Sequence, residues 1–121
     1  MNKVESFEGL RIWQEARVLV KQIYSDMKGS NDWGFRDQLQ RAGISIMNNI
    51  AEGFERNSDT EFARFLNIAK GLAGEVRSMY YSAEDLGYGT KEVASERREY
   101  AKGISKGIGK LEGYLRKWPL S

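Results

Sequence analysis

The segment that decides the fold is RAGISIMNNIAEGFERNSDTEFARFL, residues 41–66. Its first half repeats apolar residues with the period of an α-helix, and its second half starts a new helix in the same way. Between the halves, Ser58 followed by Glu61 forms the S-x-x-E pattern of a capping box. In such a box the hydroxyl accepts a hydrogen bond from an unpaired N–H, and the carboxylate reaches back. The segment therefore predicts the end of one amphipathic helix, a capped turn and the start of another.

The same periodicity extends outward and predicts helices over residues 10–27, 35–56, 59–86 and 90–117. Gly29 and Gly87 are the predicted C-caps, and Asn31 or Asp32 is predicted to cap the second helix. No strand pattern occurs, and the single proline, Pro119, lies near the end of the sequence. Short turns between four helices predict an all-α, antiparallel up-down-up-down four-helix bundle, with residues 1–121 as a single domain.

Each helix has a predicted inward row of apolar or small residues. For the first two helices the rows are Leu10, Trp13, Ala16, Val20, Ile23, Tyr24, Met27 and Leu39, Ala42, Gly43, Ile46, Ile50, Gly53, Phe54. For the last helix the row is Val93, Tyr100, Ile104, Ile108, Leu111, Leu115 and Trp118. These rows predict one core shared by all the helices.

The third helix has the most regular pattern, because apolar residues repeat every seven positions in two series. The two series are Phe62, Ala69, Val76, Ala83 and Phe65, Leu72, Met79, Leu86. Such a seam is typical of helices that pack in a left-handed bundle. An additional row of Leu66, Ala73 and Tyr80 widens the apolar stripe. This row either lets the helix contact two neighbouring helices, which is the simpler interpretation, or faces another subunit or partner.

A polar stripe runs along the second helix, opposite its apolar arc. Its members are Arg41, Ser45, Asn48, Asn49, Glu52 and Arg56. Four of them advance by four, three and four residues, so they fall on one line along the helix. They can form a solvent-facing ladder that ends in a Glu52–Arg56 pair, or they can belong to a subunit contact or a buried polar network. The stripe is therefore a candidate oligomer or partner interface.

Composition excludes several classes of chemistry. The 121 residues include no histidine and no cysteine, so the commonest general base, the thiol nucleophile and the usual soft metal ligands are missing. No phosphate-binding G-x-x-x-x-G-K-[ST] loop occurs. We therefore predict no catalytic residues, no metal, no cofactor and no small-molecule substrate. Because no long apolar run is present, we also expect no signal peptide, no membrane segment and a cytoplasmic location.

Positive charge is concentrated near the end of the sequence. Residues 97–118 contain seven basic and two acidic residues, a net charge of +5, whereas the rest of the chain has 12 basic and 15 acidic residues, a net charge of −3. The candidate nucleic-acid-binding residues are Arg98, Lys102, Lys106, Lys110, Arg116 and Lys117. The alternative is a helix with ordinary solvated lysines.

Glycines within the last two helices are unusual, because each destabilises a helix interior by roughly 1 kcal/mol relative to alanine. Gly103 and Gly107 flank the inward row of the last helix, where they are predicted to let a neighbouring helix approach closely. Gly109 and Gly113 fall on the opposite face, beside the lysines. There they predict either a surface where a phosphate backbone or partner helix comes close, or only a marginally stable helix.

The sequence resembles the 23S rRNA-intervening sequence protein family. The family pattern F-x-x-L-x-x-W-x-x-A is matched from Phe7 to Ala16, and Q-x-x-R-A-x-x-S-I-x-x-N-I-A-E-G from Gln38 to Gly53. The pattern F-x-x-F-L-x-x-A followed by G-x-x-x-E is matched by Phe62, Phe65, Leu66, Ala69, Gly71 and Glu75. Met47 replaces a proline that is frequent in the family, and the last helix matches only in length and character.

The resemblance implies an antiparallel bundle that assembles into a ring-like homo-oligomer, with pentamers the form seen in relatives. It also implies a relationship to the accessory bundle proteins of diversity-generating retroelements, which bind a reverse transcriptase and its RNA and are more basic than this chain. We therefore expect a non-enzymatic oligomeric scaffold that binds RNA or an RNA-associated protein through its last helix. The alternative is a protein–protein adaptor that uses the polar stripe and the Leu66–Tyr80 row and binds no nucleic acid.

Overall fold

A computed structural model describes residues 4–117 and places them in four α-helices that follow a short 3-10 turn. The turn is Phe7–Gly9, and the helices are α1 Arg11–Met27, α2 Trp33–Phe54, α3 Asp59–Leu86 and α4 Lys91–Lys117. No β-strand occurs between residues 4 and 117, so the predicted all-α class is confirmed. The sequence pattern did not predict the 3-10 turn, and α2 begins and ends two residues before its predicted bounds.

The N-termini of α2 and α3 are capped as predicted. The Asp32 carboxylate accepts a hydrogen bond from a backbone N–H in the first turn of α2 at 3.2 Å. The Ser58 hydroxyl accepts one from the Glu61 N–H at 3.1 Å. The Glu61 carboxylate accepts from Arg64 Nε at 3.1 Å and, within the described residues, from no Ser58 N–H, so only the first half of the predicted capping box is confirmed. A cap of this kind stabilises a helix by about 1 kcal/mol.

Gly87 is the C-cap of α3 as predicted, whereas the prediction for α1 is wrong, because its C-cap is the extended residue Lys28 and Gly29 follows in the turn. Gly29 and Gly87 have φ angles of +84° and +75°, which side chains with a Cβ atom rarely adopt. After α3 the Tyr88 N–H donates to the Ala83 carbonyl at 2.8 Å, which closes a Schellman-type turn. These caps let each helix stop abruptly and return along the bundle.

Buried apolar side chains from all four helices form one continuous core. α3 packs against both α2 and α4, and α1 contacts α2 and α4, so the helices close as a four-helix bundle. Leu66, Ala73 and Tyr80 are at most 2% exposed because they face these neighbours within the chain. The simpler interpretation of this row is therefore correct, and its placement among the candidate partner-interface residues is wrong.

The predicted inward row of α2 is confirmed from Leu39 to Gly53, and the row of α1 is confirmed in part, because Ala16, Ile23 and Met27 are buried. Ile12 and Leu19 are buried in α1, but Tyr24 is 43% exposed. The Phe7 ring of the 3-10 turn packs against the Trp13 ring of α1, with the ring centres 5.2 Å apart.

The inward rows of α3 and α4 are confirmed in part. Ile104, Ile108 and Leu115 are buried as predicted, and Ala94 and Ala101 are also buried although the pattern did not select them. The predicted rows also contain residues that are only half-buried, namely Phe62, Leu72, Val93, Tyr100 and Leu111. Leu86, another predicted member, is exposed. The predicted inward residue Trp118 lies outside the described residues.

One polar cluster ties α1, α3 and α4 together. Asp26 in α1 accepts hydrogen bonds from Arg97 Nε at 2.8 Å, from Arg97 Nη2 at 3.0 Å and from the Tyr80 hydroxyl at 2.7 Å. The Asp26 and Arg97 side chains are only 14% and 17% exposed. Burial, and then the hydrogen bond to the Asp26 carboxylate, raises the pKa of Tyr80, so its hydroxyl stays protonated and donates. This cluster holds α4 to the rest of the bundle.

Candidate functional site

The structure divides the six predicted nucleic-acid contacts into those already engaged within the chain and those that face solvent. Arg98 belongs to the first group. Its Nη2 donates to Glu84 Oε1 at 3.0 Å, its Nη1 donates to the Tyr80 carbonyl at 3.3 Å, and its guanidinium lies 4.0 Å from the centre of the Tyr81 ring. Because only 14% of its side chain is exposed, Arg98 braces α4 against α3.

Arg116 is also engaged. Its Nε donates at 3.0 Å to Glu112, which is only 7% exposed although it is ionisable. On the other side of that carboxylate, Lys70 Nζ lies 3.2 Å from Oε1, at ion-pair distance but without hydrogen-bond geometry. A Cβ atom built at Gly109 would lie 4.0 Å from Lys70 Cδ, an ordinary van der Waals contact, so the packing against Lys70 does not require a glycine there. Lys117 is exposed at the end of α4.

The remaining three lysines form what we term the lysine row: Lys102, Lys106 and Lys110. All three are exposed, and within residues 4–117 none has a carboxylate at ion-pair distance. A spacing of four residues places them on one side of α4, with a rise of about 6 Å between successive residues. The lysine row is therefore the part of the predicted basic face that is exposed and has no ion pair within residues 4–117.

A groove of about 560 Å³ lies between α1 and α4, directly beside the lysine row. Arg11, Lys106 and Lys110 contribute cations to its lining, and Glu15 and Glu99 contribute carboxylates. Its lining also includes Tyr100, Gly103, Gly107 and the buried side chains of Ile12 and Ile104. We term this depression the α1–α4 groove.

The two glycines of the α1–α4 groove differ in their surroundings. A Cβ atom at Gly107 would lie 2.9 Å from Ile12 Cγ2, so the predicted close approach of a neighbouring helix is confirmed there. A Cβ atom at Gly103 would meet nothing within 4 Å, so the same prediction is wrong for that residue. A Cβ atom at Gly113 would also meet nothing within 4 Å.

Sequence reasoning missed the α1 side of the groove. Arg11 and Glu15 form an exposed pair, with Arg11 Nε 3.2 Å from Glu15 Oε2. Burial, and then the charge of Glu15, raises the pKa of Tyr100 on the facing helix. The i,i+4 pair is visible in the sequence, but nothing in that pattern shows that it faces α4.

The polar stripe of α2 forms only part of the predicted ladder. Arg56 Nη2 donates to Glu52 at 2.9 Å, as predicted, whereas Asn49 Nδ2 donates to the Ser45 carbonyl at 2.8 Å. Asn48 is exposed and makes no side-chain hydrogen bond within the described part of the chain. Because most members of the stripe are exposed, the stripe is not a buried polar network.

Part of the stripe lines a second depression, of about 440 Å³, between α1 and α2. Arg41, Ser45 and Asn48 meet Tyr24 and Ile44 there. Aromatic and arginine side chains are enriched in protein–protein interfaces, so this mixture is typical of a contact surface. We term it the α1–α2 groove.

A third depression, of about 360 Å³, lies where the turn between α2 and α3 meets the start of α1 and the end of α4. Its lining is mostly apolar and includes Phe54, Phe62, Leu10, Leu111 and Leu115.

Within residues 4–117 we find no cluster of three or more acidic, histidine or cysteine side chains that could hold a metal ion. None of the described helices is both long enough and apolar enough to cross a bilayer.

An all-helical bundle with an exposed lysine row defines a small four-helix-bundle protein with a basic face. The chain belongs to the 23S rRNA-intervening sequence protein family, whose family model matches residues 8–110. The resemblance seen in the sequence is thus confirmed as far as the family is concerned. The relationship to the accessory proteins of retroelements stays a prediction.

A solved structure gives the same fold. It is described as a protein of unknown function from the S23 ribosomal protein family, from Bacteroides thetaiotaomicron. The two chains are 22% identical and superpose with a TM-score of 0.78, over 84% of this chain and 97% of the other. At that identity the similarity shows the fold alone. No curated protein matches the chain.

Proposed function

We propose that this chain is a non-enzymatic scaffold that binds RNA through the lysine row of α4. The short turns and the order of contacts, α1 with α2, α2 with α3 and α3 with α4, support an antiparallel up-down-up-down course of the helices. In such a bundle the outer side of α4, which carries the exposed lysine row, can contact a long, regularly charged partner.

The observation that carries this proposal is the unpaired state of the lysine row. Arg98 and Arg116 have carboxylate partners within the bundle, whereas the row has none within residues 4–117. A cation without a partner releases counterions when it meets a phosphate, and this release drives non-specific binding to nucleic acids.

Three lysines make a weak site in a single chain. We propose that the chain forms a homo-oligomer, a pentameric ring as in relatives, and that the lysine rows of its subunits act together. Multivalent attachment of this kind can raise the overall affinity by a factor of 10² or more, roughly, without any new contact. An RNA-associated protein such as a reverse transcriptase can then be captured with its RNA.

Fluorescence anisotropy with a labelled single-stranded RNA at low salt tests the proposal. A triple substitution of Lys102, Lys106 and Lys110 to glutamate is expected to abolish binding. A double substitution to alanine is expected to lower the slope of log affinity against log salt by about 1.4 per chain, at about 0.7 per phosphate contact. The matched control replaces the exposed lysines 21, 28 and 91 with glutamate. Equal loss of binding in that control would show that only net charge matters and would refute a site on α4.

The second candidate function is the protein–protein adaptor, which the α1–α2 groove favours. Tyr24 is 43% exposed there beside Asn48, a side chain that makes no hydrogen bond within residues 4–117. Under this hypothesis Asn48→Arg reduces the mass of the assembly measured by light scattering in solution, and RNA does not bind. Asn48 suits this test better than Asn49, because Asn49 bonds its own helix and its loss would disturb α2 locally.

A further inference from the structure

Gly103 is a glycine that the packing of the bundle does not require. It lies in the middle of α4, where glycine destabilises a helix relative to alanine, yet a Cβ atom there would meet nothing within 4 Å. Gly107 differs, because Ile12 occupies the space that its side chain would take. A Cβ atom at Gly71, Gly74 or Gly113 would also meet nothing within 4 Å, but Gly103 lies in the α1–α4 groove.

The groove has two kinds of charge at its edges. Lys106 and Lys110 belong to the lysine row, and Arg11 stands on the α1 side with 89% of its side chain exposed. Glu15 and Glu99 contribute carboxylates, and Glu99 has no ion-pair partner within the described residues. The carboxylates repel phosphate, so a phosphate backbone is expected to stay on the lysine row. They accept hydrogen bonds from amino groups, so the groove suits a neutral group with N–H donors.

The shape of the groove suits a flat group of moderate size. The groove has a volume of about 560 Å³, which exceeds that of one nucleobase. Because Gly103 has no side chain, that residue leaves the groove unfilled at the middle of α4. The ring of Tyr100, which is half-buried beside Gly103, offers an aromatic surface. Bases stack on such rings regardless of their sequence, whereas hydrogen bonds to their edges discriminate between them.

We propose that the α1–α4 groove takes an unpaired base of the RNA strand whose phosphates lie on the lysine row. Glu99, aided by Glu15, accepts a hydrogen bond from the exocyclic amino group that cytosine, adenine and guanine carry. Uracil presents a carbonyl oxygen at the corresponding position and is disfavoured, because that oxygen is an acceptor. The partner is therefore single-stranded RNA rich in bases that carry an amino group, of which cytosine and adenine are the two tested below. This inference rests on the proposed function, since it needs the phosphates on α4.

A duplex would not satisfy this geometry. In an RNA helix the exocyclic amino groups of cytosine and adenine are base-paired. They lie in a deep, narrow groove that side chains do not enter. The strand must present a splayed base, and single strands do so readily. The inference thus predicts a preference of single strand over duplex as well as a preference among bases.

The test is anisotropy with four labelled probes of equal length: oligo-C, oligo-A, oligo-U and an RNA duplex. The wild-type chain is expected to bind oligo-C and oligo-A at least about five-fold more tightly than oligo-U and the duplex, the smallest factor typical of one base-reading contact. Glu99→Gln is expected to reduce this preference without abolishing binding, because a neutral amide presents both an acceptor and a donor.

Gly103→Leu is expected to fill the groove, since a Cβ atom at that position would meet nothing within 4 Å. It is expected to remove the preference for oligo-C and oligo-A while the lysine row still binds every probe. Gly71→Leu, at an equally open and exposed glycine of α3, is the matched control and is expected to leave all four affinities unchanged. Circular dichroism melts of both variants confirm that the bundle is folded.

The outcomes separate this inference from the proposed function. If all probes bind equally, or if Gly103→Leu behaves like Gly71→Leu, the base-binding groove is overturned while RNA binding by the lysine row stands. If no probe binds at low salt, the proposed function itself fails. A preference for the duplex would also overturn the inference.

Discussion

Asp26 is the residue whose loss should weaken the attachment of α4 most. It accepts two hydrogen bonds from Arg97 at 2.8 and 3.0 Å and one from the Tyr80 hydroxyl at 2.7 Å. In Asp26→Ala the Arg97 guanidinium, which is 17% exposed, keeps its charge without a counter-ion, and the Tyr80 hydroxyl loses its acceptor. Removing one partner of a buried ion pair typically costs about 3–5 kcal/mol. We expect the low end, about 3 kcal/mol, because water still reaches part of the pair.

Thermal melting followed by circular dichroism measures this loss. For a domain of this length about 1 kcal/mol shifts Tm by roughly 4 °C, so Asp26→Ala should lower Tm by about 12 °C. The control is Arg11→Ala, which breaks the exposed pair with Glu15 and should cost less than about 1 kcal/mol. The double variant Asp26→Leu with Arg97→Leu should recover much of the loss, because no unpaired charge stays buried. A Tm for Asp26→Ala within 2 °C, roughly, of the wild type would refute the reasoning.

Two further predictions concern glycine and acid. Gly53→Ala should destabilise the bundle by about 1–3 kcal/mol, because its Cβ atom would lie 2.7 Å from Phe65 Cβ. Gly103→Ala, where the added Cβ atom meets nothing within 4 Å, should stabilise the bundle by about 1 kcal/mol. Urea titration of both variants measures the difference, and equal effects would contradict the packing described at these two glycines. The hydrogen bond from the Tyr88 hydroxyl, and then the bond from a backbone N–H, lowers the pKa of Asp32 below its ordinary value of 3.8. The carboxylate therefore stabilises the fold above that value, and this contribution is lost as the pH falls through the lower folded-state pKa. Asp32→Asn should flatten the decline of stability below about pH 4 in urea titrations, and an unchanged pH profile would contradict this assignment.

The fold follows from local signals that act within a few residues. Ser58 and Gly87 fix the ends of α3 through their own side-chain and backbone chemistry, so their roles are legible in the sequence. The core row of α1 was harder to predict, because Tyr24 and Leu19 are both apolar enough to face inward. Only the position of α1 against its neighbours decides that Leu19 is buried and Tyr24 exposed.

The candidate site depends on contacts between distant parts of the chain, which composition does not show. Arg98 and Lys102 look equivalent in the sequence, but α3 brings Glu84 within 3.0 Å of Arg98 and brings no carboxylate to Lys102. The surplus of positive charge on α4 could therefore be predicted from the sequence. Which of its basic residues have no carboxylate partner within the chain could not. The α1–α4 groove escaped prediction for the same reason.

Amide chemical shifts of the ¹⁵N-labelled protein, titrated with single-stranded RNA at low salt, test the RNA site most directly. We expect the largest shifts to fall on residues 99–110 of α4 and on Arg11, with little change around Tyr24 and Asn48. Shifts centred on the α1–α2 groove, or no shifts at RNA concentrations well above those of the protein, would contradict it.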